Sequence, residues 1–248
     1  MLKFRAFHTV LAVAMFTSLT GCQTTTEATG PIADVLFQTA ATAEQNGDHA
    51  AAAQHYQKLN AKDPDNVTVL FALVRNLRYS GASAQAVKLL TDATSEVRSE
   101  PGYHLELGKA QLAAGNNGDA IASVEKALAA DPKNWEAHST LGIAHDLSDD
   151  FAKGQQSYRR ALDLSPKNPT VLNNLAISLA LSGDLAGAIA TLKDAPRVAR
   201  HNPQIRQNLA LFYGIKGDVK KAKALGKIDL DEDAVAKNLE IYSQLRRQ

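Results

Sequence analysis

The sequence predicts an all-α protein in which pairs of short helices repeat along the chain and stack into a solenoid. Three observations predict this fold class. Apolar stretches with helical spacing end at Pro64, Pro132 and Pro166, and the last two prolines are 34 residues apart. Small residues recur with the same period. Hydrophobic residues make up 45% of the 248 residues but aromatic residues only 6%, which favours thin, closely packed helices.

The 34-residue period divides the chain into six units without an insertion. Their boundaries are 33–66, 67–100, 101–134, 135–168, 169–202 and 203–236. In four of them the seventh and eighth positions join a large residue to a small one, which lets two helices approach each other. These pairs are Leu107-Gly108, Leu141-Gly142, Leu175-Ala176 and Leu209-Ala210.

Three further positions repeat in five of the six units. The fifteenth position is glycine, which suits a tight turn between two helices because glycine adopts positive φ without steric cost. The twentieth is alanine and the twenty-fourth is bulky. In chain order these residues are Gly47, Gly81, Gly115, Gly183 and Gly217; Ala52, Ala86, Ala120, Ala188 and Ala222; and Tyr56, Leu90, Val124, Tyr158 and Leu192.

This pattern resembles the tetratricopeptide repeat, a helix–turn–helix unit of 34 residues. Each unit of that kind buries its apolar face only against its neighbours. The resemblance therefore implies a right-handed α-solenoid with a concave inner face.

Two units depart from the pattern. In the fourth, Asp149 replaces the turn glycine and Gly154 replaces the alanine, so we expect a less tight turn there. In the sixth, Gly226 replaces the bulky residue and Asp229 occupies a small apolar position, so we expect a weak or shifted second helix.

The last residues, 231–248, are predicted to form a capping helix. Val235, Leu239, Tyr242 and Leu245 follow one another at steps of three or four residues, which places them on one helical face. Such an amphipathic helix is suited to cover the open end of a repeat array.

The N-terminus has the features of a secretory signal. Lys3 and Arg5 precede an apolar stretch over 6–19, which is too short to cross a bilayer as a helix. The stretch ends in Leu19-Thr20-Gly21-Cys22, which resembles the lipobox of bacterial lipoproteins. That resemblance implies that residues 1–21 are removed and that Cys22 is acylated. The alternative is a plain signal peptide in which the cysteine falls by chance.

Residues 22–32 are predicted to be a lipidated N-terminus and a flexible tether, because they are polar, lack periodicity and end in Gly30-Pro31. Gln23 follows the cysteine, and by resemblance to enterobacterial lipoproteins this favours the outer membrane. We therefore expect a lipid-anchored protein that faces the periplasm.

Composition and motifs argue against catalysis and against nucleic acid as a partner. The formal net charge is +1, and the single cysteine excludes an intrachain disulfide. The sequence has no GxSxG, HExxH or phosphate-loop motif. His138 and His145 occupy repeat positions that favour large packing residues. We expect no enzyme activity, no metal site and no cofactor.

The concave face is the predicted binding site for a protein or an extended peptide. In tetratricopeptide proteins it is lined by helix A, at positions 2, 5, 6, 9, 12 and 13. By this resemblance the site residues here are Phe71, Arg75, Arg78, Tyr79, Leu105, Glu106, Lys109, Leu112, Ile143, Asp146, Leu147, Asn173, Asn174, Ile177, Gln207, Asn208 and Leu211.

Two sets of these residues have a specific expected role. Asn174 and Asn208 share the sixth position, where an asparagine in peptide-binding members holds the ligand backbone. Arg75, Arg78 and Lys109 could attract a carboxylate or an acidic segment, or could simply keep the surface soluble.

Within the repeat class, the whole chain resembles the TadD proteins of tight-adherence (Flp) pilus systems. The distinguishing part is the ending, residues 236–246, with the sequence AKNLEIYSQLR. The resemblance implies a role in assembling the pilus machinery, with a pilotin for an outer-membrane secretin as one form of that role. Two alternatives remain: another periplasmic adaptor, for cell-wall hydrolases or outer-membrane protein assembly, and a metal-carrying or enzyme-accessory module.

Overall fold

The computed structural model describes residues 30–195 and 201–246, and these residues form fourteen helices and no strand. The first seven helices are α1 Pro31–Gln45, α2 His49–Asn60, α3 Val67–Tyr79, α4 Ser83–Thr91, α5 Ser95–Arg98, α6 Tyr103–Ala113 and α7 Asn117–Ala130. The remaining seven are α8 Trp135–Asp146, α9 Phe151–Leu164, α10 Pro169–Leu181, α11 Leu185–Lys193, α12 Pro203–Lys216, α13 Val219–Gly226 and α14 Glu232–Leu245. None of the helices in these ranges is long and apolar enough to span a bilayer.

The helices pair as the repeat pattern requires, and the predicted all-α solenoid of tetratricopeptide repeats is confirmed. Each unit contains a first helix packed against a second, and the second also packs against the next unit. The second unit differs, because α4 ends at Thr91 and the short helix α5 follows it. The predicted signal peptide, Cys22 and most of the tether lie outside the described residues.

Asparagine and aspartate start most of the helices. In nine of them the residue before the helix is Asn or Asp, and its side chain accepts a hydrogen bond from a backbone N–H of the first turn. Such a cap satisfies a donor that has no partner within the helix. Asp150 and Asp231, which stand in acidic clusters of the sequence, are two of these caps.

The turns between the paired helices have one geometry in all six units. After each first helix, a backbone amide donates to the carbonyl five residues earlier, with N···O distances of 2.8–2.9 Å. Asp149 takes the positive φ of the replaced glycine, at 60°, and the amide of Asp150 makes the same hydrogen bond to His145. The expectation of a less tight turn in the fourth unit is therefore wrong, because aspartate tolerates this conformation.

Small residues at the eighth position allow the two helices of a unit to touch. A Cβ on Gly108 would lie 2.5 Å from Val124 Cγ2, and a Cβ on Gly142 would lie 2.6 Å from Tyr158 Cε1. The bulky residue at the twenty-fourth position thus fills the space that the glycine leaves open. The alanines of the twentieth position are buried in all five units that have them.

The buried apolar residues form three clusters along the stack. One extends from Ala40 to Ala110, and another from Tyr158 to Tyr242. Between them lies a small cluster of Leu105, Val124 and Ala137, where the third unit meets the fourth. The two ends of the solenoid therefore have large cores, and the middle has a small one.

The C-terminal end differs from the other units. Helix α13 ends at Gly226, after eight residues. Asp229 follows the helix and accepts hydrogen bonds from the guanidinium group of Arg206, so a charged pair stands where the repeat usually packs a small apolar residue. Helix α14 then covers the stack. Val235 and Tyr242 are buried, and Tyr242 packs directly over Gly214.

A cleft lined by the first helices of four units

A cleft of about 660 Å³ crosses the surface formed by the first helices of the second to fifth units. The helices that line it, α3, α6, α8 and α10, contact one another in sequence. Its lining residues are Arg75, Arg78, Tyr79, Glu106, Lys109, Leu112, Ala113, Trp135, Glu136, Ser139, Thr140, Ile143, Leu147, Thr170 and Asn174. The cleft thus brings together nine of the seventeen residues predicted for the binding site.

A chain of ion pairs crosses the floor of the cleft. Lys109 Nζ lies 2.7 Å from Glu106 Oε1 and 2.6 Å from Glu136 Oε1. Arg78 Nη2 lies 3.6 Å from Glu106 Oε2 on the opposite side. The side chains of Arg78, Glu106 and Lys109 are only 14–16% exposed. The second, third and fourth units are therefore joined by charges that hold one another.

Arg75 is also paired, with a residue of the first unit. Its guanidinium donates from Nε to Glu44 Oε1 at 2.6 Å and from Nη2 to Glu44 Oε2 at 3.1 Å. This two-pronged contact holds the pKa of Glu44 below its ordinary value. All three basic residues of the cleft thus already have acidic partners. A ligand carboxylate would therefore have to compete with acidic side chains of the protein for these three residues.

Exposed apolar side chains border the same cleft. Tyr79 is 62% exposed, Leu147 is 55% exposed, and Trp135, the single tryptophan, is 36% exposed. Tyr79 packs against the His49 ring, with ring centroids 4.8 Å apart, and the Arg78 guanidinium lies 5.5 Å from the centre of the Tyr79 ring. These contacts hold the tyrosine ring at the edge of the cleft.

The two asparagines of the sixth position have different surroundings. Asn208 Nδ2 donates to Asn173 Oδ1 at 2.7 Å, so these two amides hold each other across neighbouring helices. Asn174 lines the cleft, and its side chain has no hydrogen-bond partner among the described residues. Of the predicted pair, only Asn174 is placed to hold a ligand backbone in this cleft.

The remaining predicted site residues lie outside the cleft, and packing explains each of them. Phe71, Ile177 and Leu211 are half-buried against the core clusters. Gln207 donates to Asp229 near the capping helix.

Asp146 belongs to a partly buried polar network and does not line the cleft. Tyr158 donates to its Oδ2 at 2.9 Å and Ser178 to its Oδ1 at 2.7 Å. Burial raises the pKa of this carboxyl above its ordinary value. Through Ser178, the twelfth position of this unit contacts the next unit.

The cleft also contains residues that the prediction omitted. They are Ala113, Trp135, Glu136, Ser139, Thr140 and Thr170. All but Trp135 stand at positions 2, 5, 6, 9, 12 or 13 of their units, so the repeat register itself was the signal for them. Trp135 stands at the first position of its unit, which that register does not include.

The described residues do not group into a metal site. No three histidine, cysteine, aspartate or glutamate side chains come together within 30–195 and 201–246. His138 Nε2 lies 3.0 Å from the backbone oxygen of Pro132, which engages that nitrogen in a local contact. The alternative of a metal-carrying module gains no support from this part of the chain.

Comparisons with family models match two parts of the chain. Residues 147–212 match a model described as a tetratricopeptide repeat, and residues 26–143 match one described as the TT21 fifth ARM repeats domain. ARM repeats also form α-solenoids. A search of curated proteins gave no match.

Solved structures with a similar fold include a tetratricopeptide-repeat protein, a pilus biogenesis factor and a chain of a hetero-tetramer. A thermophilic tetratricopeptide-repeat protein of Thermus thermophilus is 19% identical, with a TM-score of 0.65; the alignment covers 73% of this chain and 98% of that one. PilW, a type IV pilus biogenesis factor, is 18% identical over 85% of this chain and 98% of its own, with a TM-score of 0.67. A chain of an APC/C hetero-tetramer is 17% identical, with a TM-score of 0.68; 85% of this chain matches 42% of that longer one.

Proposed function

We propose that this chain, a tetratricopeptide-repeat protein by its fold, is a non-enzymatic lipoprotein scaffold that binds a segment of a partner protein in the cleft. In this proposal Cys22 anchors it to the periplasmic side of the bacterial outer membrane. The scaffold then acts in the assembly of a tight-adherence (Flp) type pilus machine. One form of this role is a pilotin for the outer-membrane secretin.

The cleft is the observation that carries the binding function. It extends over four helices of different units, so an elongated ligand would contact several units at once. It offers an unpaired amide at Asn174 and exposed rings at Tyr79 and Trp135. Such a combination of large apolar surfaces with a few polar groups is typical of sites for extended peptides.

The membrane anchor rests on the N-terminal sequence. Cleavage before Cys22 would leave eight residues before the first described one, Gly30, and helix α1 starts directly after it. Two or more acyl chains on one residue give stable anchoring, whereas a single chain gives only marginal binding. The repeat array would then stand close to the membrane surface.

The role in pilus assembly rests on two similarities. One is the resemblance of the ending, residues 236–246, to the TadD proteins. The other is the fold shared with PilW, whose own description is that of a type IV pilus biogenesis factor. A secretin is the partner that best joins these similarities to an outer-membrane location.

Photo-crosslinking in native membranes tests the proposal. A photoreactive residue at Ala113 or Thr170, which are exposed in the cleft, should capture the partner. The same residue at Ala129, which is exposed on the second helix α7, is the matched control.

Capture of a secretin or another pilus component from the cleft positions, and not from Ala129, would support the proposal. Capture of cell-wall hydrolases or outer-membrane assembly factors alone would reject the pilus role and keep the scaffold. Equal capture from Ala113 and Ala129 would reject the cleft as the binding site.

A further inference from the structure

A row of exposed apolar side chains follows the thirteenth position of the repeat. From the second to the fifth unit this position holds Tyr79, Ala113, Leu147 and Leu181, at the C-terminal ends of α3, α6, α8 and α10. Tyr79, Leu147 and Leu181 are 55–62% exposed. We call these four residues the apolar row.

The arrangement of the row is more informative than the exposure of any one member. Single exposed leucines are common on protein surfaces and need no explanation. Here the large exposed side chains stand in one register of neighbouring units, and three members of the row also line the cleft. Exposed apolar side chains that recur in one register beside a cleft are a candidate interaction site.

The charges beside the row are balanced within the protein. The three basic side chains Arg75, Arg78 and Lys109 face three acidic ones, which are Glu44, Glu106 and Glu136. An acidic ligand would have to compete with these carboxylates for the basic side chains, and any carboxylate that lost its partner would offset the new contact. A ligand segment without charges leaves every pair intact.

We infer that the cleft binds an uncharged, extended segment of the partner protein whose apolar side chains pack on the apolar row while Asn174 holds its backbone. The inference rests on the proposed function and names the chemical class of its ligand. The uncharged segment is favoured over an acidic peptide because the basic side chains of the cleft are already paired with acidic side chains of the protein.

The repeat geometry sets the spacing of the ligand's apolar residues. Helices in contact have axes about 10 Å apart, and an extended chain advances about 3.3 Å per residue. One repeat unit therefore corresponds to about three residues of the ligand. Because Ala113 offers only a methyl group between Tyr79 and Leu147, the large apolar residues of the ligand are expected to pack on Tyr79, Leu147 and Leu181. These ligand residues would be about six and then about three residues apart.

Peptide selection on the intact protein tests the inference. The lipidated full chain in phospholipid nanodiscs is exposed to a displayed library of random peptides of about 12 residues, long enough for this spacing. Synthetic copies of the enriched peptides are then titrated, with the fluorescence of Trp135 as the readout, since it is the single tryptophan and lines the cleft.

We expect enriched peptides that are uncharged and carry apolar residues at the stated spacing. Their Kd should change less than about twofold between low and high salt, because little charge is involved. The double variant Leu147→Ser with Leu181→Ser should weaken binding at least about tenfold, whereas Val219→Ser with Ile228→Ser, equally exposed outside the cleft, should leave the Kd unchanged.

Two other outcomes would overturn the inference in distinguishable ways. If the enriched peptides are acidic, bind about tenfold more weakly at high salt and are lost in Arg75→Ala with Arg78→Ala, the ligand class is wrong and the cleft remains the binding site. If no peptide is enriched, or if neither the Leu147/Leu181 variant nor the Arg75/Arg78 variant affects binding, the proposed function fails together with the inference. Circular dichroism of each variant confirms that the helices are retained.

Discussion

The position of the Asp146 side chain determines which residue can stand at position 154 on the neighbouring helix. Asp146 lies beside the second helix of its own unit and receives hydrogen bonds from Tyr158 and Ser178. A Cβ on Gly154 would lie 2.2 Å from Asp146 Oδ1 and 3.2 Å from the backbone oxygen of Gly142. The glycine, which replaces the alanine of the repeat, therefore makes room for a partly buried carboxylate.

Gly154→Ala should therefore destabilise the protein, although alanine usually stabilises a helix. The added methyl group must displace Asp146 and its two hydrogen bonds, and overpacking of this kind costs about 1–3 kcal/mol. Gly118→Ala in α7 is the matched control, because a Cβ there meets nothing within 4 Å; it should stabilise by about 0.5–1 kcal/mol. Urea denaturation of the two variants measures both effects, and a shift of the same sign in both would contradict the steric argument.

The same polar arrangement occurs twice, at the twelfth and twenty-fourth positions of the first and fourth units. Glu44 receives a hydrogen bond from Tyr56, and Asp146 receives one from Tyr158. Their pKa values nevertheless move in opposite directions. The Arg75 guanidinium lowers the pKa of Glu44, whereas burial raises the pKa of Asp146.

This difference gives the two residues opposite effects on stability as pH changes. For Asp146, the folded state holds its proton more tightly, so its contribution falls as pH rises from 3.8 to the higher folded pKa. For Glu44, the contribution is present above 4.5 and is lost as pH falls through the lowered folded pKa.

The free energy of unfolding of Asp146→Asn should increase relative to that of the wild type as pH rises from 3.8 to the higher folded pKa of Asp146. Glu44→Gln should lose stability relative to the wild type as pH rises toward 4.5 and then stay at a constant deficit. Chemical denaturation between about pH 3 and 6 measures both curves. Parallel curves for the two variants would contradict the assigned causes of the pKa shifts.

At the scale of helices and turns, the repeat pattern predicted the pairing of the helices and the fold class. It also placed the turns correctly, and only the effect of Asp149 was misjudged, because aspartate at a φ of 60° keeps the turn that glycine makes elsewhere. The weak second helix expected in the sixth unit corresponds to α13, which ends at Gly226. The short helix α5 was not foreseen, since no position of the repeat signals it.

The capping helix α14 is the element on which the C-terminal end depends. Tyr242 is 8% exposed and packs over Gly214, whereas the adjacent Ile241 is 50% exposed. Tyr242→Ala should destabilise by about 3 kcal/mol, as expected for removing a buried aromatic ring. Ile241→Ala is the neighbouring control and should change the free energy of unfolding by less than about 0.5 kcal/mol. Hydrogen exchange in α12 should accelerate only in the first variant; equal effects would show that α14 does not cover the stack.

At the scale of the whole molecule, the sequence predicted which residues line the cleft better than it predicted how their charges are paired. The repeat register located most of the cleft, because equivalent positions of stacked units face the same way. It did not show that Arg75, Arg78 and Lys109 are paired, because their partners come from three different units. Ion pairs between units depend on side-chain reach across the stack, which a single repeat does not encode.

The proposed lipid anchor concerns the whole chain and has its own test. Cys22→Ser should release the protein from the membrane fraction to the soluble periplasmic fraction and abolish incorporation of a labelled fatty acid, because the sulfur proposed to be acylated is lost. Cell fractionation with Ser18→Ala as the control measures this. Retention of the Cys22→Ser variant in the membrane together with label incorporation would refute the lipobox assignment.

The small middle cluster has a consequence for any partner that occupies the cleft. Leu105, Val124 and Ala137 form the buried cluster between the two large cores, where the third unit meets the fourth. The Lys109–Glu136 ion pair crosses this same junction on the cleft side. In the proposed function, a bound segment would therefore span the junction between the two large cores and link the two halves of the solenoid.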